Sequence, residues 1–310
     1  MGEIVVLGTI AYDNIMSCSN DLKKVFGGDV EKCSKTAYNV DDLKKESGGS
    51  GLNISYNIAL LGGKSVLFSS VGTDFEFSDF IISTVNLDNI YKANDLLTSR
   101  SYIISDSSGA QVSSYFLGAT ALGNELKLNV LSNVNYIVVS SFEVGAMKSF
   151  LSIYKKAGIK TVFAPGEQIQ NMSKADLDIC LGNTDILVVN SDEYEILKNK
   201  AEKNDEEMIG LFEYIIITYG VNGSKIFDKH YNMIEVPGVS NPNLKDTVGV
   251  GDAYRAGLVK GLNDGFDIEK SAKIGAVLAS VSTGTTGAQN HKLSWDELKE
   301  LYKDTFGDSL

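Results

Sequence analysis

The chain has 310 residues, of which 43% are hydrophobic, enough for one large α/β unit with a buried core. Its 28 Lys and Arg against 40 Asp and Glu leave a net charge of −12, which excludes a general binder of nucleic acid or anionic membranes. Arg occurs only as Arg100 and Arg255, so any phosphate site must draw on backbone N–H groups, Lys or a metal rather than on Arg forks.

The opening Met1-Gly-Glu-Ile-Val-Val-Leu-Gly8 is too short an apolar run for a signal peptide and carries Glu3 where basic residues would sit. No stretch approaches the ~20 apolar residues that span a bilayer. Cys18, Cys33 and Cys180 are widely spaced, which suits buried thiols in a reducing compartment; the expectation is a cytoplasmic protein. Strand-like apolar runs lie at Ile4–Leu7, Ser65–Val71, Tyr136–Ser140, Thr161–Ala164, Ile186–Asn190 and Tyr214–Thr218. Amphipathic segments near Asn53–Leu61, Val144–Ala157, Asp192–Asn199 and Ala253–Asn263 fall between and after them. This order predicts a single α/β unit over residues 1–310, with a mainly parallel sheet flanked by helices on both faces. Residues 11–47 and 98–117 break the rhythm; the latter reads as a hairpin around Asp106-Ser-Ser-Gly109. We expect these two excursions to form a small β lid over the carboxyl ends of the main strands.

Four segments carry chemistry. In Glu46-Ser-Gly-Gly-Ser-Gly-Leu-Asn53, the Gly48-Gly49 pair lets backbone approach a ligand, and Asn53 offers hydroxyls both a donor and an acceptor. A plain Gly-rich turn capped by Ser50 is the alternative. Asn190-Ser-Asp-Glu193 follows a strand; its Asn and Glu suit a hydrated Mg²⁺, or simply an acidic helix start. Ile215–Ser224, with Thr218, Gly220 and Gly223, reads as strand–turn–strand. In Asp246-Thr-Val-Gly-Val-Gly-Asp252, Gly249 and Gly251 allow close backbone approach before a helix whose free N–H groups form an anion site. Asp252 is odd in a pure anion site, but sensible if it takes a proton from a hydroxyl attacking phosphorus. The alternative is a helix N-cap.

Residues 246–257 resemble the D-T-x-G-A-G-D-x-F-x-A-G signature of the ribokinase/PfkB family of carbohydrate and nucleoside kinases, with Val248 and Val250 as departures. Residues 48–63 resemble that family's G-G-x-x-x-N-x-A-x-x-L-x-x-L-G signature, in the expected order. The resemblance extends from Ile4 to about Asn290 and implies a ribokinase-like fold. It implies transfer of the γ-phosphoryl of ATP to a primary hydroxyl, with Asp252 as base and the Gly249, Val250 and Gly251 amides holding the phosphoryl. It places Asp13, as the Asp that ends the family's first strand, on substrate hydroxyls with Gly48, Gly49 and Asn53. Asn190 and Glu193 match its N-x-x-E segment, which orders Mg²⁺ largely through water. Thr218, Gly220 and Gly223 match its T-x-G-x-x-G nucleotide segment. Ala279–Asn290, including Gly287, resembles the stretch bordering adenine and, in many members, a monovalent cation such as K⁺.

Tyr254-Arg255, Ser113–Ala119 and Thr286–His291 look most like the adenosine and nucleoside kinase branch. Phe163-Ala-Pro-Gly-Glu-Gln-Ile169 is similar to that branch's F-D-P-G-Q segment, with Ala164 and Glu167 departing from it. Tyr102, Tyr115 and Phe116 either stack on a purine or pack the lid. The expectation is a kinase for the 5′-hydroxyl of adenosine, acting on small molecules as a monomer or homodimer. A sugar kinase and a non-catalytic binding regulator on the same fold are the alternatives. Gly62-Gly-Lys-Ser65 lacks the upstream Gly of a Walker A loop, and His230 and His291 are remote from any Cys pair, so neither that loop nor a zinc site is expected.

Overall fold

The computed structural model describes residues 2–22, 37–108, 110–127 and 129–310. Residues 23–36 of the expected lid, Cys33 among them, and Gly109 of the hairpin lie outside the described residues. Strand β1 (Glu3–Leu7) is followed by β2 (Ala11–Cys18), β3 (Asp42–Gly48), α1 (Ser50–Leu60), β4 (Ser65–Gly72), α2 (Asp79–Thr84) and β5 (Val85–Ala93). Then come β6 (Ser99–Asp106), β7 (Gln111–Phe116), β8 (Val134–Ser140), α3 (Val144–Lys156), β9 (Lys160–Ala164), α4 (Lys174–Gly182) and β10 (Ile186–Asn190). The rest is α5 (Ser191–Ala201), α6 (Asp205–Ile209), β11 (Tyr214–Thr218), β12 (Ser224–Asp228), β13 (Met233–Val236), α7 (Val250–Asn263), α8 (Ile268–Ser282) and α9 (Trp295–Phe306).

Among the described residues the main sheet has nine strands in the order β13-β12-β11-β10-β9-β8-β1-β4-β5. From β5 to β11 they are parallel, and β12 and β13 close one edge antiparallel. Buried on both faces, the central strands are near-continuous apolar runs; Ile4, Val5, Val6 and Leu7 are all 0% exposed. Alternate residues feed two separate cores. Ile4, Val6, Val138, Val188 and Ile216 pack with Leu52, Ile58, Leu258 and Ile274 of α1, α7 and α8. Val5, Leu7, Ile137, Phe163 and Leu187 pack with Phe150, Leu177 and Leu197 of α3, α4 and α5. Helix α8 has ten of its fifteen residues buried, with its charges confined to Glu269, Lys270 and Lys273 near its start.

A second sheet of four strands has the order β3-β2-β6-β7. The chain leaves the carboxyl end of β1 at Leu7, builds β2 and β3, and re-enters the body at Ser50, the start of α1. That path sets the small sheet at the edge of the main sheet where the parallel strands end. Directly opposed residues Glu46, Asp13, Ser101 and Tyr115 form one row across β3, β2, β6 and β7, so their side chains share a face.

Helix α7, which carries Asp252, is fixed by a close approach to α8. A Cβ on Gly257 would lie 2.8 Å from Gly275 Cα, and one on Gly261 would lie 2.8 Å from Ser271 Oγ. The final Gly of the 246–257 motif is thus a helix-packing residue. Gly257→Val is expected to lower stability by about 1–3 kcal/mol or more through overpacking, read as an earlier midpoint in urea unfolding.

Candidate active site

The start of α7 differs from other helix starts in the protein. Helices α3, α4, α5, α8 and α9 are capped by the side chains of Glu143, Ser173, Asn190, Asp267 and Ser294. Gly49 caps α1 without a side chain, but Thr9 satisfies the first turn: Ser50 N donates to its Oγ1, and Gly51 and Leu52 N to its carbonyl. Gly49, at φ 90°, has no room for a Cβ, which would fall 2.6 Å from that carbonyl. Helix α7 begins after Gly249, at φ 77°, with no side-chain cap, and the Gly251 and Asp252 amides have no protein acceptor among the described residues. Unpaired amides at a positive helix end are a ready anion site. Asp246 shapes the approach: its Oδ1 accepts from Val248 N at 3.0 Å and its Oδ2 from Gly287 N at 2.8 Å. This draws residues 286–291 against the turn, where a Cβ on Gly249 would meet Ala288 Cβ at 2.3 Å.

Asp252 lies in the first turn of α7, 8% exposed. Its Oδ2 accepts from Asn53 Nδ2 at 2.9 Å, and Asn53 Oδ1 in turn accepts from Gln289 Nε2 at 2.8 Å. Gln289 therefore orients the Asn53 amide with its donor toward the carboxylate. Asp252 Oδ1 accepts from Arg255 Nη1 at 3.1 Å, and Arg255 Nη2 stands 3.7 Å from Glu193 Oε2. Burial pushes the Asp252 carboxyl above its ordinary range, and the Arg255 charge and the Asn53 hydrogen bond pull it back.

Asp13 stands on β2 of the small sheet, inside the 11–47 excursion; the resemblance had set it at the end of the first strand, but β1 stops at Leu7 and the chain turns into a new strand at Ala11. It is 7% exposed and accepts a 2.5 Å hydrogen bond from Ser101 Oγ. Gly48 makes room for it: a Cβ there would lie 1.9 Å from Asp13 Oδ2. Gly48 thus serves as space for a carboxylate as well as backbone for a ligand. Burial pushes the Asp13 carboxyl up to about 6; the Ser101 hydrogen bond opposes this and the charges of Asp252, Asp246 and Glu46 add to it.

The remaining predicted residues surround this centre with local roles of their own. Asn190 and Glu193 form a reciprocal capping box: Glu193 N donates to Asn190 Oδ1 at 2.8 Å, and Asn190 N to Glu193 Oε2 at 2.9 Å. Thr218 ends β11 beside Asn190, its register partner. Gly220 and Gly223 have φ 59° and 86° in the β11–β12 turn, and a Cβ on Gly223 would strike Val236 O at 2.1 Å. Gly287, at φ 82°, hangs on Asp246 and faces Glu46, whose Oε2 accepts from Asn290 Nδ2 at 2.9 Å. At the other end of the cross-strand row stands Tyr115, more than half exposed, with the Glu167 carboxylate among the charges near it. Beside it Leu117, Thr120, Val144, Gln168 and Asn171 line a cavity of about 230 Å³. A larger cavity of about 560 Å³, lined by Lys155, Lys160, Asp185 and His230 among others, lies at the amino ends of β9–β11, away from Asp252. The contact roles of Gln289 with Asn53, Ser101 with Asp13, and Arg255 with Glu193 had no signal in spacing, since each partner is remote in sequence.

A mainly parallel α/β sheet, an uncapped helix start holding a buried carboxylate, and a second carboxylate beside it define a phosphotransferase with an alcohol acceptor. The profile of the pfkB family carbohydrate kinases matches residues 3–295, and the chain belongs to that family. It is 30% identical over 308 residues to the nucleoside kinase of Methanocaldococcus jannaschii, covering 97% of this chain and 96% of that protein. The crystal structure of the M. jannaschii nucleoside kinase, an archaeal member of the ribokinase family, superposes with a TM-score of 0.85 at 27% identity, over 98% of this chain and 99% of that one. The Burkholderia thailandensis nucleoside kinase in complex with inosine gives a TM-score of 0.91 at 22% identity, over 99% of this chain and 100% of that one. No helix among the described residues is long and apolar enough to cross a membrane.

The position of Asp13 has a measurable cost in the ligand-free protein. Its carboxyl holds a proton more tightly when folded than its ordinary 3.8 allows. Its contribution is therefore full below about pH 3.8 and lost as the pH rises through about 6. Asp13→Asn is expected to stabilise the protein at pH 7 by ~1–3 kcal/mol and to be nearly neutral for stability near pH 4. Chemical denaturation of both proteins at the two pH values measures it.

Proposed function

We propose that this chain is an ATP-dependent kinase that transfers the γ-phosphoryl to a primary hydroxyl of a nucleoside, with the 5′-hydroxyl of adenosine as the first candidate. The observation that carries this reading is the buried Asp252, held by Asn53 and Arg255 at an uncapped helix start. Asp252 accepts the proton of the attacking hydroxyl. The hydroxyl oxygen bonds to phosphorus as the bond to the bridging oxygen breaks, and the electron pair leaves with ADP. The free amides of Gly251 and Asp252, with that of Gly249 beside them, stabilise charge on the transferring group, where fixed donors need no reorganisation, whereas the expected Val250 amide already donates to Thr247 O at 3.4 Å. Asp13, with Gly48, Gly49 and Asn53 around it, holds acceptor hydroxyls. Asn190, Thr218, Gly220, Gly223 and Gly287 surround the nucleotide.

The Asn190–Glu193 pair fits Mg²⁺ only at second hand. Each side chain already engages the other's backbone amide, and among the described residues no cluster of three or more acidic, His or Cys side chains could hold a metal ion. Direct chelation would break the helix cap, whereas a hydrated Mg²⁺ carried by the nucleotide leaves it intact. Mg²⁺ bound there would neutralise phosphate charge.

A nucleoside is favoured over a free sugar by the full-length similarity to the M. jannaschii enzyme and by the pocket at the Tyr115 end of the row. Leu117 and Val144 offer apolar walls for a flat base and Gln168 and Asn171 offer amides. In an ATP-consumption screen, adenosine and inosine are expected to be turned over with higher kcat/KM than ribose or fructose. A preference for either sugar would replace the nucleoside reading with a sugar-kinase one. Asp252→Asn is expected to keep nucleotide binding and lose ~10²–10⁴ in kcat, measured under saturating substrates.

The small sheet is proposed to act as a lid that sheds water from the reaction. Polar contacts tie it to the body, Glu46 to Asn290 and both Tyr12 and Arg100 to Asp74, and these exchange with water when the sheet opens. Acceptor binding is expected to slow amide exchange in β2, β3, β6 and β7 but leave Ile186–Asn190 unchanged. Equal exchange with and without acceptor would count against a moving lid.

A further inference from the structure

Arg255 occupies a position that the 246–257 motif leaves variable, yet its side chain is only 12% exposed and joins two acids on different helices. One turn after Asp252 on α7, it donates from Nη1 to Asp252 Oδ1 at 3.1 Å. Its Nη2 is 3.7 Å from Glu193 Oε2 on α5, an oxygen that also accepts from Asn190 N. Only a planar guanidinium presents two N–H groups to two carboxylates in this way; a Lys ammonium is a single point of charge.

We propose that Arg255 is a positioning residue for phosphoryl transfer: by bridging Asp252 to Glu193, it holds the base as a carboxylate and aims it from the helix start. This rests on the kinase reading above for its role in catalysis, but not for the bridge itself. Acidic charges oppose ionisation of Asp252: Glu193 on α5 raises it, and Asp13 on β2 repels it in turn. Asn53 on α1 contributes a hydrogen bond but no charge. A buried carboxyl in that company would keep its proton, and a protonated Asp252 could not accept one from the substrate. The guanidinium supplies the opposing charge. Because Glu193 competes for the same guanidinium, Glu193 and Arg255 act on Asp252 in opposite directions.

The test is a ¹³C carboxyl NMR titration of the full chain labelled at aspartate, with Asp252 assigned by its loss in Asp252→Asn. In Arg255→Gln the Asp252 titration is expected to move up by about one pH unit or more. In Glu193→Gln, where Gln retains the helix cap, it is expected to move down; in Arg255→Lys it falls between wild type and Arg255→Gln. The acid limb of kcat/KM should follow each shift, whereas a merely structural role would lower kcat/KM equally at every pH. An unmoved Asp252 titration in a folded Arg255→Gln protein overturns the proposal. If that variant does not fold, unmoved titrations in Arg255→Lys and Glu193→Gln overturn it instead. The titration requires no turnover, so a chain that phosphorylates no acceptor would sink the kinase reading while the NMR shifts still decide the role of Arg255.

Discussion

A carboxylate buried at the positive end of a helix is stable as an anion only if surrounding groups offset its lost hydration, and much of this protein is arranged around that requirement at Asp252. Asn53 donates to one oxygen and Arg255 to the other, while Gln289 fixes which end of the Asn53 amide faces the acid. These three partners come from α1, α7 and the segment after α8. Displacing α1 relative to α7 removes the Asn53 hydrogen bond from a buried charge, which costs more than the bond itself contributes. The glycine contacts between α7 and α8 protect this arrangement by setting the axis of the helix that carries Asp252.

The parallel sheet does the rest of the positioning. Its strands end at one edge, so Asn190 at the end of β10, Thr218 at the end of β11 and the starts of α1 and α7 come together without any local sequence signal. The small sheet leaves from that edge and returns to it. Its register then decides which side chains face the cleft. Glu46, Asp13, Ser101 and Tyr115 are scattered through the sequence but stand in one row across four strands. A shift of one residue in any pairing would turn that strand's member of the row to the opposite face.

Several motif residues serve the fold as well as the site. Asn190 and Glu193 cap α5 with each other, Gly223 permits the close β11–β12 turn, and Gly48 vacates the space that Asp13 fills. Such double use explains why these positions look like ordinary turn and cap chemistry when read singly. It also restricts what can bind: Glu193 already serves a backbone amide and lies close to a guanidinium, so a metal ion meets it most readily through water.

The sequence by itself determined the layered α/β architecture, because buried parallel strands must be apolar runs and their covering helices must be amphipathic or wholly apolar. It also determined the helix start at Asp252, since Gly249, Gly251 and Asp252 act through local backbone geometry that spacing preserves. Its pattern ended the first strand at Leu7 and set Asp13 in the excursion that follows, whereas the family resemblance alone set Asp13 at the end of the first strand. It was silent on Gln289, Ser101 and the Arg255–Glu193 bridge. Those assignments belong to the tertiary structure alone: a hydrogen bond between residues as far apart in the chain as Asn53 and Gln289 depends on how layers pack, and packing distance leaves no period in the chain.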